Sequence, residues 1–180
     1  MFNHKKVLWI TRTALLIALL VVLQAATIPL GNNFVTGSVV NLMLIISVMT
    51  CGIATGLTVA VISPVMPTLL GFGPTWPLIP FIAAGNIVLV VIWHFLGNRN
   101  FRIKYAAYVA ALISGAIAKF LVLYFGVVRI AVPLILGLPE QNVLSYLFSF
   151  PQLITASIGG IIAIALFPTI KKAVNREQQS

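Results

Sequence analysis

Residues 13–98 read TALLIALLVVLQAATIPLGNNFVTGSVVNLMLIISVMTCGIATGLTVAVISPVMPTLLGFGPTWPLIPFIAAGNIVLVVIWHFLGN, 86 residues without one Asp, Glu, Lys or Arg. A helix crossing a hydrocarbon core about 30 Å thick needs about 20 apolar residues, so this stretch has room for up to about four spans. A second uncharged run covers 141–170. Outward from these runs, the whole chain of 180 residues is 61% hydrophobic and 7% charged. Soluble domains run about 45–50% apolar and about 25% charged, so too few charges remain to cover a soluble surface, and the chain is read as a membrane protein. Six spans of about 20 residues take up about 120 of its positions. The remainder makes loops and tails, with no soluble catalytic domain, so 1–180 is expected to form a single transmembrane domain. The runs are continuous and lack the two-residue alternation of barrel strands, which makes the expected class all-α.

Gly and Pro cut the runs into six helices, at about 8–29, 37–52, 54–70, 78–97, 105–126 and 146–169. A tight turn at Cys51-Gly52 joins the second and third, and Pro64 and Pro67 are expected to kink the third or end it early. Residues 71–77 read as a loop and 98–104 as a basic connector. Residues 127–145 read as an apolar loop broken by Pro133, Gly137 and Pro139.

The net charge of +9 comes from 11 Lys and Arg against 2 acidic residues. Lys5, Lys6 and Arg12 precede the first helix; Arg99, Arg102 and Lys104 join the fourth and fifth; Lys171, Lys172 and Arg176 follow the sixth. With six spans all nine fall on one side, and the positive-inside rule makes that side, and both termini, cytoplasmic. Trp9 and Trp93 are then expected near the inner interface and Trp76 near the outer one. Topology explains nine of the 11 basic residues, so nucleic acid is not expected as a partner, and the tail 171–180 reads as a solvated cap. The first apolar stretch is too long for a cleaved signal peptide. Cys51 is the only cysteine, with no internal disulfide possible and a structural role expected.

Catalytic chemistry is missing. No G-x-x-x-x-G-K-[ST] loop is present, and no H-E-x-x-H or paired-Cys metal pattern; His4 and His94 lie on different segments. The only carboxylates are Glu140 and Glu177, so acid–base catalysis lacks its pair, and neither an enzyme nor a bound metal is expected. The same scarcity weakens an ion-coupled carrier, which runs its ions through intramembrane acids or His.

Lys119 stands out. Counted from Lys104, 15 residues at about 1.5 Å each place it about 22 Å along a core of about 30 Å. An ammonium there either snorkels to the outer headgroups or faces a cavity holding an acceptor or anion, with Gly115 one turn below to leave space. Asn86 lies at a similar level near Ala83, and Asn41 near the start of the second helix. Ser149, Gln152, Ala156 and Gly159 form one stripe at spacings of 3, 4 and 3. Polar groups in lipid are expensive, so these residues are expected to face inward, either around an outward-opening pocket or as bonds between helices. Trp76, Asn32 and Asn33 are placed to cover such a pocket. The pairs Ala14-x-x-x-Ala18, Gly52-x-x-x-Gly56 and Ala156-x-x-x-Gly160 permit close helix approach.

Four segments, taken in order, carry a resemblance: Ala14-Leu-Leu-Ile-Ala18, Phe34-Val-Thr-Gly-Ser-Val-Val-Asn41, Pro77-Leu-Ile-Pro-Phe-Ile-Ala-Ala-Gly-Asn86 and Ser149-Phe-Pro-Gln-Leu-Ile-Thr-Ala-Ser-Ile-Gly-Gly160. Over nearly its whole length the chain resembles the S-components of energy-coupling factor (ECF) transporters, the substrate-binding subunits of bacterial vitamin importers. The resemblance implies a six-helix subunit of the bacterial cell membrane that captures a water-soluble vitamin or precursor from outside, topples in the bilayer and releases it inward. It implies a transmembrane coupling subunit docked on Ala14 and Ala18, and two cytoplasmic ATPases that use the ATP; this chain holds no cofactor. The expected substrate-binding residues are Lys119, Asn86, Gln152, Asn41, Trp76, Arg129 and Ser149. With Lys119 and Arg129 outward and Glu140 opposing them, an anionic or acceptor-rich ligand is favoured; pantothenate is one candidate, and pyridoxine or a hydroxymethylpyrimidine another. Two other classes stay open: a stand-alone carrier or small channel, which liposome uptake without ATPases would reveal, and a structural membrane subunit, which a bound ligand would exclude.

Overall fold

A computed structural model describes residues 4–97, 104–135 and 138–177, and every element among the described residues is helical. They are α1 (His4–Thr27), α2 (Asn33–Cys51), α3 (Ile53–Leu69), α4 (Ile79–Gly97), α5 (Lys104–Leu123), a π-helical stretch (Tyr124–Ala131), α6 (Val132–Ile135), α7 (Leu138–Leu147) and α8 (Phe150–Glu177). Five of the helical segments are long and apolar enough to cross a membrane. The 17-residue α3 rises about 25 Å, short of a core of about 30 Å.

Local chemistry sets the boundaries. Asn32 caps α2, its Oδ1 accepting the Phe34 N–H at 3.0 Å, which satisfies one of the free donors of the first turn. Gly52 has φ +87° and ψ 179°, a conformation that side-chain-bearing residues rarely adopt. It lets α3 start with only Gly52 between it and α2, as the Cys51-Gly52 turn expects. The prolines do not end α3 early: the helix runs through Pro64 and Pro67 to Leu69 with both rings buried.

The greatest difference from the sequence reading lies in 127–145, expected as a loop. The fifth helix continues instead through the π-helical stretch Tyr124–Ala131 into α6, and α7 occupies Leu138–Leu147. Residues 136–137, including the expected break at Gly137, lie outside the described residues. Pro133 is the second residue of α6, directly after the π-helical stretch. The last long helix starts at Phe150, four residues later than expected, and absorbs much of the tail by continuing to Glu177. Most of the basic connector, 98–103, lies outside the described residues.

Packing centres on α2, which touches α1, α3, α4 and α8; α5 packs on α4 and α8 and closes the bundle. The core holds Leu44, Ile45 and Val48 of α2, Val59 and Ala60 of α3, Leu89, Val90 and Trp93 of α4, Ala111 of α5 and Ala163 of α8. Trp93 is only 1% exposed; it is a core residue and not the interfacial anchor expected. Two of the small-residue pairs serve this packing. A Cβ at Gly56 would lie 2.7 Å from Val48 Cβ and 2.8 Å from Val90 Cγ1, and one at Gly160 would run into Leu112. Ala14 and Ala18, by contrast, are exposed on the outer face of α1.

The two ends of the bundle differ. Thr13 of α1 hydrogen-bonds Thr55 at the start of α3 at 3.0 Å, and Tyr108 of α5 meets Phe167 of α8 edge-on at 5.9 Å. Arg12, Lys6 and Lys172 belong to this end. Lys119 and the polar residues around it belong to the other.

Candidate functional site

Proline chemistry in α3 starts the site. A proline supplies no N–H to the carbonyl four residues before it, so Pro64 leaves the Ala60 carbonyl, and Pro67 the Ser63 carbonyl, without the usual helical donor. In an apolar setting such groups need partners from elsewhere, and both find them. Ala60 O accepts from Ser63 Oγ at 3.0 Å and, more loosely, from Asn86 Nδ2 at 3.5 Å. Ser63 O accepts from Gln24 Nε2 at 3.4 Å.

From Ser63 the contacts extend across the bundle. Asn86 Nδ2 donates to Ser63 Oγ at 2.9 Å. Lys119 Nζ donates to Asn86 Oδ1 at 2.7 Å and to Asn41 Oδ1 at 2.6 Å. Asn41 Nδ2 donates to Thr155 Oγ1 at 3.3 Å, which in turn donates to the Gln152 carbonyl at 3.2 Å. Gln24, Asn41, Ser63, Asn86, Lys119 and Thr155 are all buried, and they come one each from α1, α2, α3, α4, α5 and α8. Lys119 is 3% exposed. Bonded to two amides, it does not snorkel to the membrane surface. Hydrogen bonds to a charged group contribute about 1.5–3 kcal/mol each, which explains how the ammonium is held among apolar helices.

This network forms part of the wall of a cavity of about 350 Å³, a volume within the usual range for small-molecule sites. Gln24, Asn41, Ser63, Asn86, Lys119 and Gln152 line it, with Pro64, Pro67, Ile82 and Leu123 as apolar wall. Its rim is the start of α2, the turn at Phe72, Gly73 and Pro74, and the corner between α7 and α8 at Leu147 and Phe148. Gly73 is required in that turn, since a Cβ there would run into the Thr68 backbone. Thr68 Oγ1 ties the turn down by contacts of 2.7 Å to Pro74 O and 2.9 Å to Pro64 O. A second cavity, of about 650 Å³, lies outside this rim and shares Asn33, Thr36, Gly37, Leu147, Phe148 and Gln152 with the first.

Of the residues singled out in the sequence, Lys119, Asn86, Asn41 and Gln152 converge on the cavity, and Asn33 stands on its rim. Ser149 bonds the Ser145 carbonyl and faces neither cavity. Trp76 is 58% exposed and is not among the lining residues. Arg129 stays outside as well: the π-helical stretch carries it to the surface, its guanidinium 5.4 Å from the centre of the Tyr124 ring. Gly115 leaves no room beside Lys119, because Leu89 and Trp93 of α4 pack within 3.1 and 3.3 Å of where its Cβ would be. The side chain of Glu140 lies outside those described.

Gln24, Ser63 and Thr155 are absent from the sequence reading. Gln24 had a signal, being a lone amide inside an apolar helix. Ser63 and Thr155 had none, because Ser and Thr in apolar helices commonly bond a carbonyl of their own preceding turn, as both do here.

Chemically the wall is cationic on one side. Its described side chains include one ammonium and no carboxylate. Gln24 Oε1 is buried without a hydrogen-bond partner, a condition that costs about 1–3 kcal/mol. Nothing here resembles a catalytic pair, and the described residues contain no group of three or more His, Cys, Asp or Glu able to hold a metal ion. The arrangement suits reversible binding of a small, acceptor-rich molecule.

The sequence matches one family model, described as ECF transporter, substrate-specific component, over residues 9–171. No curated protein and no solved structure matches the chain.

Proposed function

Because the chain belongs to the substrate-specific component family of ECF transporters, a family of non-catalytic membrane subunits that associate with an ECF module, we propose that it captures a water-soluble vitamin or vitamin precursor in the cavity around Lys119. The observation that carries this reading is Lys119 itself, an ammonium fixed by Asn41 and Asn86 on the wall of a space of about 350 Å³. Such a wall favours a ligand that is anionic or rich in acceptors, with pantothenate as the leading candidate. Lys119, Asn41, Asn86 and Gln152 are the binding residues best supported by their position; Arg129 and Trp76 would serve only at the approach, and Ser149 shapes the α7–α8 corner.

In this reading 1–180 is one transmembrane unit of the bacterial cell membrane, with both termini and the basic end of the bundle in the cytoplasm. The cavity end then faces outward, where cargo arrives. Ala14 and Ala18, exposed on α1, dock on the transmembrane coupling subunit, and two cytoplasmic ATPases supply the energy, so this chain needs neither nucleotide nor cofactor.

The test is a thermal-shift panel of water-soluble vitamins on the purified chain, repeated with Lys119→Ala. A stabilising ligand should emerge, and its affinity should fall about 10- to 100-fold in the variant, the loss of one charge-assisted hydrogen bond. Equal affinity in both proteins would remove Lys119 from the site.

A further inference from the structure

Gln24 lines the same cavity as Lys119 and is 7% exposed. Its amide has a determined orientation. Nε2 faces the Ser63 carbonyl at 3.4 Å, a group that can only accept and that Pro67 deprives of its helical donor. Oε1 is therefore the opposite end of the amide, buried and without a partner. The other two buried amides of the wall differ: Asn41 and Asn86 each have the oxygen taken by Lys119 and the nitrogen taken by Thr155 or Ser63. The wall thus carries two unmet demands, a positive charge facing no described carboxylate and an acceptor lacking a donor. They sit at opposite ends of the Asn86–Ser63 pair. Buried polar groups are matched by something; Oε1 is closed even to water, so a cavity ligand matches it by way of a turn of the Gln24 side chain, which itself lines the cavity.

We infer that the cavity selects for an anion that also carries, away from its charge, a hydroxyl or amide N–H that donates to Gln24 Oε1. This rests on the substrate-binding reading above and makes Gln24 its specificity residue: Lys119 attracts the anion, and Gln24 rejects anions lacking the donor. A site built to pair a substrate hydroxyl or N–H discriminates strongly against analogues without it, because its own polar group is then left unpaired.

Two probes test this on the purified full chain in nanodiscs. Pantothenate has a carboxylate with hydroxyls and an amide N–H beyond it; monomethyl adipate is a carboxylate with an acceptor and no such donor. Wild type should bind pantothenate at least about 10-fold more tightly, a comparison that needs no variant, the gap reflecting the unpaired acceptor. Gln24→Met, similar in volume and without the amide, should cut pantothenate affinity about 10-fold and leave monomethyl adipate within about twofold, erasing the preference. Lys119→Ala should weaken both acids together. Equal binding of the two acids by wild type, or a preference that survives Gln24→Met, overturns the role of Gln24 while the anion site stands. Binding of neither acid overturns the anionic site itself.

Discussion

Lys119 is unusual in what holds it: two neutral amide oxygens from different helices, 2.6 and 2.7 Å away. Removing a partner therefore differs from removing the charge. Asn86→Leu deprives the ammonium of one acceptor and Ser63 of a donor, and should lower stability by about 2–4 kcal/mol, as when a buried charge is left underpaired. Adding Lys119→Met to that variant should recover part of the loss, since no charge then remains to be solvated. Thermal unfolding of the single and double variants in detergent measures this; a double variant less stable than Asn86→Leu alone would mean that the charge is not the burden. Much of this cluster is legible in the sequence, because Lys, Asn and Gln inside apolar runs must turn inward. Lys119, Asn86, Asn41 and Gln152 follow that rule. Arg129 does not follow its expected course, because its placement depends on the backbone form of 124–131, and a short apolar stretch does not distinguish a π-helix from a loop.

At the scale of elements, α3 carries the chief lesson. Pro64 and Pro67 read as helix breakers, yet the helix continues, and the two carbonyls they release become anchor points for Asn86, Ser63 and Gln24. Restoring a donor should reverse this. Pro67→Ala supplies an N–H to the Ser63 carbonyl, competes with Gln24, and should hold or raise the melting temperature while weakening ligand binding about fivefold, the worth of roughly one neutral hydrogen bond. Thermal shift with and without ligand reads both effects; a lower melting temperature with intact affinity would show that the proline serves packing alone. The pairing of α2 with α8 depends on glycine in a similar way. A Cβ at Gly159 would come within 2.7 Å of the Ser38 carbonyl and 2.8 Å of Asn41 Cβ, so the absence of a side chain there lets Asn41 reach both Lys119 and Thr155. The stripe through Ser149, Gln152, Ala156 and Gly159 announced that α8 has an inward face, but not that its first turn would bond backwards into the α7 corner.

For the molecule as a whole, polarity is divided by end. The described basic side chains Lys6, Arg12 and Lys172 lie where α1 begins and α8 finishes, and the cavity with its buried network lies at the other end. The exposed flank of α1, with Ala14, Ala18 and the 67% exposed Leu15, belongs to neither. A small-residue face on an outward helix suits close approach by another membrane helix. Ala14→Leu or Ala18→Leu should therefore reduce co-purification with the coupling subunit by about 10-fold or more, as overpacking at a close helix contact would, while ligand binding stays unchanged. Loss of ligand binding together with assembly would place α1 in the folding of the cavity instead. The all-helical class and the inward place of Lys119 were readable from charge-free length and from the position of Lys119 in its apolar run. The helical path of 124–147 was not, since its apolar residues and prolines fit loop and short helix equally well.

Native mass spectrometry of the chain purified from its membrane, beside Lys119→Ala prepared identically, asks whether Lys119 holds a captured anion. Wild type should retain a single small molecule, an anion in solution, in stoichiometric amount, and Lys119→Ala should lose it. A folded wild type that carries no small molecule and takes up none from a vitamin mixture, or one whose cargo persists in Lys119→Ala, would contradict anion capture by Lys119.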